Sequence, residues 1–272
     1  MRRTIFVGDV HGCAAELHEL LAAVAFVPGS DRLLLTGDAF SRGPDPRGVW
    51  SALQSTGAVM VLGNHDDRLL RQLRAAARGE PVPGRQPHHR VTFEALLPLA
   101  EQLQPWLESL PLCVEGRAFE TETPAGPAPP LQADPASGES GQRAGLPPKD
   151  EAIQRDGFVL VHAGLNPERG LAGTERAEFL SIRTWPPTGS LEGPRWHDAM
   201  EPLAGTVVFG HDAPGGLTVK RLPGRDLPWL VGLDSGCVYG GRLSAWVLEE
   251  DHLVQVPSRQ PRTPGRGPGP PA

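Results

Sequence analysis

VLGNHDDRLL, residues Val61 to Leu70, is an apolar run that stops on an asparagine, a histidine and two aspartates instead of ordinary turn residues. A strand ending in Gly63-Asn64-His65-Asp66 sets nitrogen- and oxygen-bearing side chains together on a loop, where catalytic groups usually sit. One such ending carries little weight, because Gly-Asp after a strand is a common turn and a lone strand-end histidine is more often structural. The chain repeats it. Five apolar runs end in metal-competent residues beside glycine: Gly8-Asp9-Val10-His11, Gly37-Asp38, Gly63-Asn64-His65-Asp66, His162-Ala163-Gly164 and Gly210-His211-Asp212. Ligands of an α/β sheet collect at the carboxyl ends of its strands, so five separate loops are expected to meet in one place.

The segments around these endings are short β-rich runs alternating with helical stretches. TIFVGD ends at Asp9, and CAAELHELLAAVAF then carries Leu17, Leu20, Leu21 and Val24 at helical spacing. RLLLTGD ends at Asp38 and precedes a helix from about Pro46 to Ser55; AVMVLGNHD precedes an Arg- and Leu-rich helix from about Asp67 to Arg78. FVLVHAG ends near His162 and TVVFGHD near His211, and WLVGLDSGCVYGGRLSAWVLEEDHLVQVP reads as a closing hairpin or meander. An α/β core with added antiparallel strands follows. The stretch VTFEALLPLAEQLQPWLESLPL interrupts the alternation as a small helical cap beside the site.

With 272 residues the chain is long enough for a well-buried core, read as one domain over residues 1–257. Thr123 to Pro148 is dominated by Pro, Ala, Gly and Ser and cannot repay its ordering entropy, so a disordered insertion is expected over 120–150. Residues 258–272 share that character, with Arg259, Arg262 and Arg266, and read as a flexible tail. The 26 basic and 32 acidic residues give a net charge of −6, which argues against general affinity for nucleic acid or anionic membrane. Cys13, Cys113 and Cys237 are too few and scattered for a disulfide framework or zinc finger, and read as reduced, buried thiols. The run before Asp9 is shorter than a signal peptide's core, and no stretch approaches the roughly 20 apolar residues of a membrane span. The expectation is a soluble, cytoplasmic protein.

Two carboxylates, an amide and several imidazoles, without thiolate, suit a pair of divalent ions more than a structural zinc site. Two ions about 3.5–4 Å apart need one bridging carboxylate, and can clamp a phosphate while activating water between them. Hydrolysis of a phosphate ester or anhydride is the chemistry implied. His18, His88-His89, His197 and His252 lack this support and read as structural or solvated.

GDVHG, GDAFSRGP, GNHDD, VHAGL and GHD resemble, in order, the motifs of the calcineurin-like metallophosphoesterases, and specifically the branch of phosphoprotein phosphatases and symmetrical diadenosine tetraphosphatases. The resemblance runs from Thr4 to about Val256 and implies an α-β-β-α sandwich. By it, Asp9 and His11 would hold a first metal, Asp38 would bridge, and Asn64, His162 and His211 would complete the second; manganese is the first choice, with iron, zinc or cobalt accepted by the same donors. His65 would be the general acid, and Arg42 and Arg183 would grip phosphate. Tyr239 resembles an aromatic position bordering the site, with core packing as its alternative. Ser41 stands where many phosphoprotein phosphatases have an aspartate that orients the acid histidine, which should lower the His65 pKa and favour an anhydride substrate.

GNHD, the short loop after His162 and GLDSGCVYGGRLSAWVL look closer to the diadenosine tetraphosphatases, so the expected reaction is symmetrical cleavage of that nucleotide to two ADP. A bacterial serine/threonine protein phosphatase acting on a phosphoprotein is the alternative. A non-catalytic module that only binds a phospho-ligand is a third reading, one whose signature would be lost ligands. Arg68, Arg71 and Arg74 could line a basic pocket under the cap or form a solvated face.

Overall fold

The computed structural model describes residues 2–84, 86–119, 157–188 and 191–264. The insertion expected at 120–150 lies outside them. The first sheet contains β1 (Thr4–Val7), β2 (Arg32–Leu35), β3 (Val59–Met60), β9 (Arg242–Val247) and β10 (His252–Pro257), in the order β10-β9-β1-β2-β3. The second contains β4 (Cys113–Arg117), β5 (Gly157–Val161), β6 (Thr206–Phe209), β7 (Thr218–Lys220) and β8 (Leu230–Gly232), in the order β4-β5-β6-β8-β7. In each sheet the three strands that feed the site run parallel: β1-β2-β3, from the centre of the first sheet to its edge, and β5-β6-β8 in the middle of the second. The closing segment, read as a hairpin or meander, ends in the β9–β10 hairpin of the first sheet, while β8 before it belongs to the second.

Alternation of side chains along each strand builds the layers. Ile5, Val7, Leu33 and Leu35 face the helices, while Phe6 and Leu34 between them face the other sheet. In the second sheet Val159, Val161, Val207 and Phe209 point outward and Phe158, Leu160 and Val208 point inward. The two inner faces meet around Phe6, whose ring lies edge-on to Phe158 at 4.8 Å and stacked on Trp246 at 5.6 Å. Over the first sheet lie α1 (Ala14–Ala23), α2 (Pro46–Thr56), α3 (Asn64–Ala77), α4 (Pro87–Leu96) and α5 (Ala100–Ser109); α6 (Gly170–Gly173) and α7 (Arg176–Ser181) cover the second. The result is the expected α-β-β-α sandwich. Among the described residues no helix is long and apolar enough to cross a membrane.

Helix α2 begins where its signals predict: Pro46 takes the first position and the Asp45 carboxylate accepts the Gly48 N–H at 2.8 Å. Helix α3 begins three residues earlier than its apolar spacing predicts. Asp66 supplies the reason, because its carboxylate accepts the Gly63 N–H and closes the first turn around Asn64 and His65. Those two side chains therefore project from a helix end and not from a loop.

Two other expectations are corrected. Residues 258–264, read as the start of a flexible tail, are tied down: Arg259 N–H donates to Glu16, its guanidinium pairs with Glu19, and Thr263 N–H donates to the Tyr239 carbonyl. Cys13 and Cys237 are buried as expected, whereas Cys113 is half-buried on a sheet edge.

His197, read as structural or solvated, is the former: it is 6 % exposed between Trp196 and Phe209. Burial, then the Lys220 ammonium, holds its pKa down to about 4. The unfolded chain carries this histidine near the ordinary value of about 6.5, so between pH 6.5 and 4 the unfolded state binds the extra proton. Stability contributed by the neutral ring is complete above that window and lost as pH falls through it, by roughly 3 kcal/mol at most. The His197→Phe variant is expected to lose less unfolding free energy than wild type from pH 7 to 4 in urea titrations. Parallel losses in the two proteins would remove His197 as the cause.

Candidate metal centre

The carboxyl ends of both sets of parallel strands open on the same side, and the expected residues converge there. β1 runs into Asp9 and His11, β2 into Asp38, and β3 into Asn64 and His65 at the start of α3; β5 delivers His162 and β6 His211. Hydrogen bonds between loops hold them in register. His11 N–H donates to the Asp38 carbonyl at 2.9 Å, Gly210 N–H to the His162 carbonyl at 2.8 Å, and His211 N–H to Asp9 Oδ2 at 3.0 Å.

Of the six non-glycine residues with φ in the left-handed region among the described residues, four are here: His11 at 48°, Asp38 at 51°, Arg42 at 76° and His211 at 66°. Such conformations persist only where the surroundings impose them, and they cluster at functional sites. Two glycines explain the tight packing. A Cβ at Gly63 would strike the Asp38 carboxylate, and one at Gly210 would strike that of Asp9.

Asp38 lies between two donor sets. Its Oδ2 is 3.6 Å from His11 Nε2 and its Oδ1 is 3.7 Å from His162 Nε2. Donor atoms of Asp9, His11 and Asp38 lie within 4.8 Å of one another, as do those of Asp38, His162 and His211. Asn64 Oδ1 and His211 Nδ1 are each 3.1 Å from His162 Nε2. His162 Nδ1 donates to the Thr36 carbonyl at 2.8 Å, so its lone pair is on Nε2 and faces this cluster.

Electrostatics favour a cation in both sets. Burial raises the Asp9 carboxyl well above its usual range, with Asp234 and Asp38 adding to the effect, and burial pushes Asp38 and Asp234 up to about 7. Burial likewise lowers His11 and His211 well below the usual imidazole value, and His162 to about 4. Neutral imidazoles therefore stand beside carboxyl groups whose charge is penalised by burial and only partly offset by Arg42 and Arg183. His211 Nε2 is buried with no hydrogen-bond partner. A divalent cation offsets both costs, and the residues present fit a pair of them.

Around this centre, Arg42 Nη2 is 3.0 Å from His65 Nε2, and its guanidinium stacks over the Tyr239 ring at 5.4 Å, so Tyr239 does border the site. Arg183 donates through Nε and Nη2 to the His211 carbonyl at 3.2 and 3.0 Å. The Ser41 hydroxyl pairs with His11 Nδ1 at 3.1 Å and not with His65, whose Nδ1 is buried without a hydrogen-bond partner. Among the described residues no carboxylate is hydrogen-bonded to that nitrogen. Burial, then His11 and Arg42, drives the His65 pKa far below its ordinary value.

Sequence reasoning missed the roles of five residues. Asp66 accepts the N–H groups of Asp38, Ala39 and Gly63, and Thr36 Oγ1 donates to Asp9 Oδ1 at 2.7 Å. Asp234, in GLDSG after β8, repeats the strand-end pattern and lines the hollow over the metal centre, but was read only as part of a hairpin. His88 and His89, read as structural or solvated, open α4 and place their rings 6.3 and 5.6 Å from that of His65. Of the three arginines on α3, Arg71 pairs with Asp67 and Arg74 with Glu108 on the surface, while Arg68 acts on His89.

Comparison with known proteins agrees with this geometry. The sequence pattern of a family described as calcineurin-like phosphoesterase matches residues 2–231. A symmetrical bis(5'-nucleosyl)-tetraphosphatase of Edwardsiella ictaluri is 32 % identical, the alignment covering 94 % of this chain and 96 % of that one. One of the same name from Aromatoleum aromaticum is also 32 % identical, covering 92 % and 95 %. A crystal structure described as a candidate diadenosine tetraphosphatase is 30 % identical with a TM-score of 0.62, covering 94 % and 93 %.

Proposed function

We propose, for a chain that belongs to the calcineurin-like phosphoesterase family, that this hydrolase splits diadenosine tetraphosphate between its two central phosphates to give two ADP. The position of Asp38 between two donor sets carries the reading, because a shared carboxylate is what a two-ion phosphate site requires. Asp9, His11 and Asp38 would hold one ion, and Asp38, Asn64, His162 and His211 the other, with manganese the first choice. When bound, such a pair neutralises phosphate oxygens and lowers the pKa of water enough for attack on phosphorus near neutral pH.

The chain's own residues divide the remaining work. Arg42 and Arg183 flank the hollow, and each planar fork can hold two phosphate oxygens. Arg42 donates to His65 Nε2 in this arrangement, since a guanidinium has no lone pair to offer. A phosphate that draws Arg42 away frees Nε2 to hold a proton at the leaving oxygen. The imidazolium is scarce, because His65 is buried against the Arg42 guanidinium with Nδ1 unpaired. This suits ADP, which departs as a phosphate anion, better than the alkoxide of a phosphoserine.

The test offers diadenosine tetraphosphate and a phosphothreonine peptide to the manganese-loaded protein and separates the products by chromatography. Two ADP as sole nucleotide products, at a kcat/KM at least about a hundredfold above the peptide's, is expected; a hundredfold corresponds to about 2.7 kcal/mol of transition-state preference. Preferential release of phosphate from the peptide would overturn the substrate assignment.

A further inference from the structure

We propose that the cleft along α7 lined by Trp185 is the binding site for one nucleoside of the substrate, joined to the metal centre through Arg183. The inference rests on the nucleotide reading above and adds where the base and ribose sit.

Size separates the two spaces. The hollow over the metal centre, lined by Asp38, His65, Arg42 and Tyr239 among others, has a volume of about 60 Å³, enough for a phosphoryl group but not for a nucleoside. The adjoining cleft has about 430 Å³, within the range of small-molecule sites. Arg183 lines both spaces, and its guanidinium is anchored on the His211 carbonyl. A nucleoside in the cleft therefore has its phosphates led past Arg183 into the metal centre, so one arginine joins base recognition to chemistry.

The lining suits a purine. Ile182, Pro187 and Ala177 offer apolar surface, and the Trp185 indole offers a stacking face. The indole is fixed from two sides: it packs against the outer core of the second sheet, and its Nε1–H donates to Glu168 Oε1 at 3.3 Å. The carboxylate at the cleft wall, Glu178, is engaged by Asn166 and by Arg169 at 2.9 Å, which reduces its repulsion of phosphate. Ser181 Oγ donates to the Ala177 carbonyl at 2.6 Å, so its oxygen retains lone pairs for an exocyclic amino group.

Kinetics of Trp185→Ala, Trp185→Phe and Ala177→Phe on diadenosine tetraphosphate and on p-nitrophenyl phosphate test the assignment. Loss of stacking in Trp185→Ala is expected to raise KM for the dinucleotide by about ten- to a hundredfold, with p-nitrophenyl phosphate kinetics unchanged. Trp185→Phe should recover most of the loss, and Ala177→Phe, which fills the cleft from an exposed helix position, should reproduce it. Unchanged dinucleotide KM in both Trp185→Ala and Ala177→Phe overturns the cleft assignment while leaving the activity standing. A wild-type protein that turns over p-nitrophenyl phosphate but not the dinucleotide overturns the nucleotide reading itself, and the cleft assignment with it. Equal losses on both substrates in Ala177→Phe would mean a disturbed metal centre and would also overturn it.

Discussion

Asp38→Asn is expected to lower kcat/KM for diadenosine tetraphosphate by at least about a thousandfold, more than 4 kcal/mol of transition-state stabilisation, and to reduce bound metal below two ions per chain. The substitution keeps the shape of the side chain and the acceptor for the His65 N–H, which Asp38 Oδ1 now receives at 2.8 Å. What it removes is the charge and one of two anionic oxygens, which face His11 on one side and His162 on the other. A neutral amide would hold two cations far more weakly than a carboxylate, whose negative charge offsets theirs. Metal analysis after gel filtration, circular dichroism and steady-state kinetics together check the prediction. A well-folded variant that keeps two ions and at least a tenth of wild-type activity would remove Asp38 as the bridge.

The second large effect is expected at a residue that touches no metal. Asp66→Ala would strand three buried N–H groups, those of Asp38, Ala39 and Gly63, which the Asp66 carboxylate accepts at 2.6, 3.2 and 3.2 Å. A buried donor left without a partner costs about 1–3 kcal/mol, so the three together cost on the order of 3–9 kcal/mol, a large share of a domain's usual 5–15. At roughly 2–4 °C per kcal/mol for a chain of this size class, the melting temperature should fall by about 10 °C or more. The damage would not stay local: the same carboxylate sets the left-handed turn at Asp38 and the first turn of α3 that aims Asn64 and His65. Calorimetry on metal-free and metal-loaded protein checks this, and a shift under about 3 °C in both would show that the turn holds itself.

The two residues illustrate different kinds of legibility. Asp38 announced itself because an apolar run ended on it beside glycine, and the same ending recurred at Asp9, Asn64, His162 and His211. Asp66 stood in the same quoted stretch, yet its task could not be read there. Two of its three partners lie at the end of β2, nearly thirty residues away in the chain. Ser41 shows a related limit: its position in GDAFSRGP marked the absence of a carboxylate, while its hydroxyl turned out to belong to His11.

Apart from the two-sheet sandwich, which only the family resemblance implied, the sequence by itself pointed to the α/β core, the strands that carry the site and the polar residues at their carboxyl ends. All of these follow from local order, because two-residue alternation decides which face of a sheet a side chain occupies and a strand's end decides where its loop emerges. Tertiary structure alone decided the early start of α3, the rings of His88 and His89 beside His65, the burial of His197, and the cleft that Trp185 and Arg183 share. Each of these depends on which distant segments come into contact. That is set by the packing of whole sheets and helices, and no periodicity within a single segment encodes it.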